Sequence, residues 1–129
     1  MAAEPFEYAI LRVVPRVERG ERINVGVVLF CRTRKFLGIR THFDEVRRGA
    51  ALALAPDADL DAVQDHLRAI ERIVNGDETS GPIAELAAPE RFRWVTSPSS
   101  TMIQPSEVHA GLTDDPATTL DQIFASQVS

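Results

Sequence analysis

Segment 23–31, Ile-Asn-Val-Gly-Val-Val-Leu-Phe-Cys, constrains the fold more than any other part of the chain. Strict alternation along a strand divides its side chains between two faces. One face takes Ile23, Val25, Val27, Leu29 and Cys31, and the other takes Asn24, Gly26, Val28 and Phe30. Both faces are largely apolar, and such a strand needs cover on both sides. The segment therefore predicts a central strand, either in a sheet with packing on each face or in a barrel-like sheet.

Two further strands are predicted beside this segment. Phe6 to Val14 is rich in aliphatic and β-branched residues and ends at Pro15. Lys35 to Arg40 follows the tight connection at 32–34. Short connections join neighbouring strands, so the three predict an antiparallel meander. Later in the chain, the aromatic residues of 91–96 favour a fourth strand, and 101–104 is its expected return strand after the turn at 97–100.

Helical patterns follow the meander. The best covers residues 59–75, with an aspartate at 57 or 59 as N-cap and Asn75-Gly76 at its end. Its apolar residues recur at helical spacing: Leu60, Val63, Leu67, Ile70, Ile73 and Val74. A shorter helix is expected from near His42, interrupted by Gly49. A last helix follows Asp115-Pro116, and its apolar stripe docks on the core or, alternatively, on a partner.

These elements predict an α+β fold in a single domain spanning residues 1–129. The expected architecture is an antiparallel sheet of about four to five strands that starts with an N-terminal meander and is packed by two or three helices. A chain of 129 residues with 44% hydrophobic and 26% charged residues is long enough to bury a core without disulfides or metals.

The sequence has few features that indicate where in the cell the protein is located. No run approaches the roughly 18 apolar residues of a membrane helix, and residues 1–5 lack the pattern of a signal peptide. The single cysteine, Cys31, cannot form an internal disulfide and is expected to be an inert core thiol. We therefore expect a cytoplasmic, bacterial-type protein with no membrane contact.

Charge is divided unevenly along the chain. Residues 1–50 hold ten Lys and Arg against six Asp and Glu, a balance of +4. Residues 51–129 hold four against thirteen, a balance of −9, so the chain carries −5. The basic half is suited to an anion, an acidic protein surface or nucleic acid, or the halves complement each other within one fold. The acidic total disfavours a dedicated nucleic-acid binder.

The strands on either side of the first loop carry a family resemblance. A strand ending in Arg12-Val13-Val14-Pro15 precedes a block that contains Gly20, Glu21, Asn24, Gly26, Val27 and Val28. This pattern resembles the bacterial domain-of-unknown-function family numbered 3037, as do the stretch 97–111 and the terminal Leu-x-x-Ile-Phe helix. Members of that family are often encoded beside a HipA-type kinase, so the resemblance implies such a kinase as a partner. It implies no catalytic residues.

Asn24 and Gly26 are unusual in a strand, because an amide there needs hydrogen-bond partners and glycine removes a side chain. On a shared face they would form a small concavity in which Asn24 contacts a ligand. Alternatively, Asn24 fixes the 16–22 loop and Gly26 permits a bulge or close helix packing. Glu21 is likewise either a functional group or the partner of a nearby arginine.

Arginines form the best candidate binding cluster. The third strand returns towards the first loop, so residues 47 and 48 are expected beside that loop. The predicted cluster for an anion or an acidic partner is Arg19, Arg22, Arg47 and Arg48. Alternatively, these charges only keep the loop and the sheet edge soluble.

No recognisable nucleophile motif, metal-ligand spacing or cofactor loop is present, and no cofactor is expected. The sequence therefore predicts a small accessory or protein-interaction domain, with a HipA-type kinase as the implied partner. The alternative is an enzyme or enzyme subunit acting on a phosphorylated substrate or nucleic acid. In that case Glu21 is the acid–base group and the arginines hold phosphate.

Overall fold

An antiparallel sheet and four helices make up the part of the chain that the computed structural model describes, residues 2–99 and 101–128. The strands are β1 (Glu4–Val13), β2 (Ile23–Cys31), β3 (Phe36–Thr41), β4 (Ile103–Pro105) and β5 (His109–Thr113). The helices are α1 (Glu45–Leu54), α2 (Leu60–Val74), α3 (Ala88–Val95) and α4 (Pro116–Gln127), with 3₁₀ turns at Glu78–Ser80 and Pro82–Glu85. The predicted α+β class and antiparallel sheet are confirmed.

The sheet is built around β1 and β2. Its order is β3-β2-β1-β4, and β5 also pairs with β1, all antiparallel. The long β1 holds β5 along residues 4–8 and β4 along residues 11–13. Strand β2 therefore lies between β1 and β3, which confirms both the N-terminal meander and the central position of segment 23–31.

A β-bulge interrupts the pairing of β1 with β2. Leu11 lies opposite Gly26 and Arg12 lies opposite Asn24, so Val25 is the extra residue. One extra residue reverses the faces on one side of the bulge. Val25 accordingly packs in the same core as Val28, whereas strict alternation predicted the opposite. The predicted face assignment is wrong for this reason.

Two cores lie on opposite faces of the sheet. The larger one contains Val25, Val28 and Phe30 of β2, together with apolar residues of α2 and α3 such as Leu67 and Phe92. The smaller one contains Val27, Leu29 and Cys31 of β2, and Leu120 and Phe124 of α4. The C-terminal helix is therefore docked on this chain's own sheet. Cover on both faces is confirmed.

Helices α2 and α4 follow the sequence pattern closely. Asp59 caps α2 by accepting a hydrogen bond from the Ala62 N–H, and Asp115 caps α4 through the Thr118 N–H. Helix α1 differs from expectation. It begins after Asp44, which accepts from the Arg47 N–H, and it continues through the glycine at 49 to Leu54. A capped first turn and the burial of Ala51 outweigh the low helical propensity of one glycine.

The predicted strand at 91–96 is wrong, because these residues belong to α3 and the turn after it. Proline in the first turn and the burial of Phe92 and Val95 on one side support the helix. Trp94 is 43% exposed. The expected return strand at 101–104 corresponds to the short β4, which pairs with β1. The pattern did not indicate β5.

Cys31 is fully buried at the end of β2, as expected for a core thiol. Its Sγ lies 3.4 Å from the Pro5 carbonyl oxygen. Among the described residues, no helix combines the length and the hydropathy that crossing a bilayer requires.

Candidate anion-binding site

Glu21 and Asn24 both take part in the architecture of the first loop and its strand. The Arg19 Nε lies 2.7 Å from the Glu21 Oε1 within the loop that joins β1 to β2. The Asn24 Nδ2 donates a hydrogen bond to the Gln127 carbonyl oxygen at 3.0 Å. That carbonyl belongs to the last turn of α4, where it has no partner inside the helix. Asn24 therefore ties the end of the chain to β2.

Gly26 lies on the face opposite to Asn24. Its cross-strand neighbour is Thr41, whose hydroxyl donates to the Glu71 carboxylate of α2 at 2.7 Å. A Cβ on Gly26 would lie 2.9 Å from the Arg40 carbonyl oxygen, so β3 approaches too closely for a side chain. The two residues do not share a concavity, and the bulge at 25 is the reason.

Arg47 and Arg48 are engaged within the fold. The Arg47 Nη1 lies 3.2 Å from the Asp44 Oδ1, and its Nε donates to the Asn24 carbonyl oxygen. The Arg48 Nη2 lies 3.1 Å from the Asp61 Oδ1 of α2. Arg47 does reach the start of β2, as the return of the third strand predicts. Both guanidinium groups already have an acidic partner.

A different pair of arginines meets at a concavity of about 130 Å³. We call it the Arg12–Arg22 pocket, and its walls are Arg12, Val14, Val17, Gly20, Arg22, Gln104 and Pro105. Arg12 comes from the end of β1, with Asn24 of β2 and Gln104 of β4 as its cross-strand neighbours. Neighbours in register share a face, so these three polar side chains form a row across the sheet.

The first loop supplies the other wall of the pocket. Its backbone turns back on itself, since the N–H groups of Arg19 and Gly20 both donate to the Arg16 carbonyl oxygen. Gly20 has a φ of 72°, a left-handed conformation that favours glycine. The turn leads the chain directly into Arg22 at the pocket.

Arg12 is incompletely satisfied. Its Nε is shielded from solvent and makes no hydrogen bond within residues 2–99 and 101–128. Burial, followed by the nearby charge of Arg22, lowers the pKa of Arg12, and Glu107 partly offsets this. A shielded donor without a partner is uncommon and costs free energy. An oxyanion bound in the concavity beside the two guanidinium groups would relieve the repulsion between them.

Sequence reasoning missed Arg12 and Gln104. The signal for Arg12 is its place between Leu11 and Val13, since a charged residue inside an apolar strand needs an explanation. Gln104 carries no such signal. It becomes relevant because β4 pairs with β1, a contact between distant parts of the sequence.

Other groups of polar side chains are less suited to binding an ion than the Arg12–Arg22 pocket. Within the described ranges, no three His, Cys, Asp or Glu side chains are grouped to hold a metal ion. The His42 Nε2 lies 3.1 Å from the Asp44 Oδ2, at the same carboxylate that pairs with Arg47. A larger concavity of about 310 Å³ lies beside Trp94 and His66, and its described walls carry no Arg, Lys, Asp or Glu.

Comparison with known proteins gives one match. A family described as "Protein of unknown function (DUF3037)" matches residues 8–128. Neither a curated protein nor a solved structure matches the chain. The match covers nearly all of the chain and therefore includes every strand from β2 to β5, both arginines of the pocket and all four helices.

Proposed function

Because the chain belongs to the family described as "Protein of unknown function (DUF3037)", we propose from its own residues that it is a non-catalytic interaction domain. It binds an acidic group of a partner protein in the Arg12–Arg22 pocket. The proposed binding surface is therefore not the arginine cluster that the sequence suggested, but the neighbouring pair Arg12 and Arg22. Arg22 belongs to both sets.

The meeting of Arg12 and Arg22 at one concavity is the observation that carries the proposal. Two like charges at one small concavity are unfavourable in the free protein, and an entering carboxylate or phosphate turns both into favourable charge-assisted hydrogen bonds. Gln104 adds an amide at the rim, although its Nε2 already donates to the Thr101 carbonyl oxygen. Arginine is suited to this role, because its planar guanidinium matches the two oxygens of a carboxylate.

The enzymatic alternative receives less support. It requires Glu21 as an acid–base group beside arginines that hold phosphate. Glu21 is instead paired with Arg19 inside the loop, and Arg47 and Arg48 are paired with aspartates. The balance of −9 over residues 51–129 also weighs against nucleic acid as the ligand.

The proposed partner is a HipA-type kinase in the cytoplasm, on the basis of the family resemblance. The pocket adds a requirement on that partner, namely an exposed aspartate, glutamate or phosphorylated side chain at the contact. A pocket of this size accepts one such group rather than an acidic stretch.

The test is calorimetric titration of the purified domain with a purified HipA-type kinase from the same organism. We expect the double variant Arg12→Gln plus Arg22→Gln to bind at least about tenfold more weakly, since a charged hydrogen bond contributes about 1.5–3 kcal/mol. The matched control is Arg68→Gln plus Arg93→Gln, which removes the same charge from exposed helical positions.

The control is expected to bind like the unmodified protein, and binding should weaken with added salt. Equal affinity of the two double variants would refute the pocket as the contact. Failure of the unmodified protein to bind the kinase would refute the partner. In that case, titration with a peptide that carries a single phosphoserine tests the pocket separately, with the same two variants.

A further inference from the structure

The free edges of the sheet differ in how they are protected. On one side, β3 carries Arg40, which is paired with Asp121. On the other side, β4 carries a proline at 105, and the Thr101 hydroxyl donates to the Ile103 carbonyl oxygen. Charge, proline and side-chain bonding are the usual means of blocking an edge. Strand β5, with the sequence His-Ala-Gly-Leu-Thr, has no lysine, arginine or proline.

Strand β5 is exposed over most of its length, and only its last residue, Thr113, is buried. It pairs with β1 on one side, and no strand of the described residues pairs with its other side. A strand paired on one side leaves alternate N–H and C=O groups pointing outwards. Leu112 is 72% exposed and Val108, just before the strand, is 41% exposed. An unprotected edge with exposed apolar side chains is a template for one more strand.

A concavity lies next to this edge. Leu112 has Pro5 as its cross-strand neighbour, and Ala110 has Glu7. Pro5, Glu7 and Ala110 all line a cavity of about 310 Å³, which also includes Phe30. Strand addition in proteins combines backbone hydrogen bonds with pockets for alternate side chains. The exposed edge and this apolar cavity supply both elements.

The charges around β5 indicate what kind of strand fits. Glu107 precedes it, and Asp114 and Asp115 follow it. A second copy in antiparallel pairing about Gly111 would place Glu107 opposite Asp115, and pairing between Ala110 and Gly111 would place it opposite Asp114. Like charges placed directly opposite destabilise strand pairing. The positive charge of Arg34 acts on Asp115 and offsets part of this negative charge, and Arg32 lines the cavity. Both ends of the edge still remain acidic.

We infer that β5 receives an extended segment of a partner protein, with apolar side chains over Leu112 and lysine or arginine at its ends. The segment extends the sheet beyond β5. This edge lies along residues 4–8 of β1, whereas Arg12 lies at the other end of that strand, and Glu107 lies near enough to act on Arg12 as well.

The probes are two synthetic peptides, one with valine at alternate central positions and lysine at both ends, and one with glutamate in place of lysine. Calorimetry measures affinity, and amide hydrogen exchange identifies the protected residues. We expect the lysine peptide to bind at least about tenfold more tightly, with protection confined to β5 and its neighbours. Equal affinity of the two peptides, or no binding of the lysine peptide, would overturn the inference.

A pair of variants makes the location specific. Leu112→Lys adds the protective charge that the edge lacks and should abolish binding of the lysine peptide. Val46→Lys on α1, which is 77% exposed, is the matched control and should bind normally. Both positions are exposed, so both variants should fold. Equal binding by the two variants would place the site elsewhere. A concentration-dependent dimer that Leu112→Lys dissolves would instead identify a second copy as the occupant and refute the inference.

Discussion

Gly26 offers the sharpest test of whether the polar block of β2 is architecture. In Gly26→Ala the new Cβ lies 2.9 Å from the Arg40 carbonyl oxygen and 3.1 Å from the Thr41 Cγ2. The oxygen belongs to the backbone of β3, so relief requires a shift of the strand rather than a side-chain rotation. Overpacking of this kind costs about 1–3 kcal/mol. Lower entropy of the unfolded chain returns about 0.4–1 kcal/mol.

The expected net loss is about 1–2 kcal/mol in the free energy of unfolding. For a domain of this size, each kcal/mol corresponds to about 4 °C, so Tm should fall by about 4–8 °C. Thermal unfolding followed by circular dichroism measures the shift, and urea unfolding gives the free energy.

Gly49→Ala is the matched control, because the same methyl group meets nothing within 4 Å there. It lies inside α1, where alanine is favoured over glycine by about 1 kcal/mol. We therefore expect Gly26→Ala to lower the free energy of unfolding and Gly49→Ala to raise it. If Gly26→Ala is as stable as Gly49→Ala, the close approach of β3 does not explain the glycine. If it is fully folded but fails to bind a partner, Gly26 is functional and the architectural explanation fails.

Three further outcomes follow from the contacts described above. Asn24→Ala should lower the free energy of unfolding by about 1 kcal/mol and speed amide exchange in the last turn of α4, which exchange experiments resolve. Leu67→Ala, at a fully buried position, should cost about 2–5 kcal/mol in urea unfolding. The Thr118 hydroxyl, followed by its N–H, lowers the pKa of Asp115 from about 3.8. That stabilisation is complete above the ordinary pKa and is lost as pH falls through the lowered one, so Asp115→Asn should flatten the acid side of a stability–pH curve.

Elements in which the apolar repeat continues over many residues, or which begin at a clear cap or end at a short connection, could be predicted from the sequence. Helix α2 has apolar residues through four turns and Asp59 at its start, and the meander has short connections between apolar strands. Residues 91–96 are too few to distinguish the apolar repeat of a helix from that of a strand. The packing of Phe92 in the larger core favours the helix. The bulge at Val25 leaves no mark in the apolar pattern, because residues on both faces are apolar.

The candidate site was predictable in part. Arg22 lies in the pocket, yet Arg19 and Arg47 are paired with carboxylates two and three residues away, and Arg48 is paired with Asp61 of another helix. Pairing of β1 with β4 brings Arg12 and Gln104 together across about 90 residues of sequence. Local sequence patterns do not indicate a contact between residues so far apart in the sequence.

The reactivity of Cys31 can be used to measure local opening of the folded protein. It is the single cysteine of the sequence, and it is 0% exposed in the smaller core, where it lies opposite Phe36 of β3. A thiol reagent reaches it only when that part of the sheet separates or α4 leaves the smaller core. The labelling rate therefore measures how often this side of the fold opens, in the natural sequence and without an engineered probe. A strand added at β5 should slow that rate by stabilising β1.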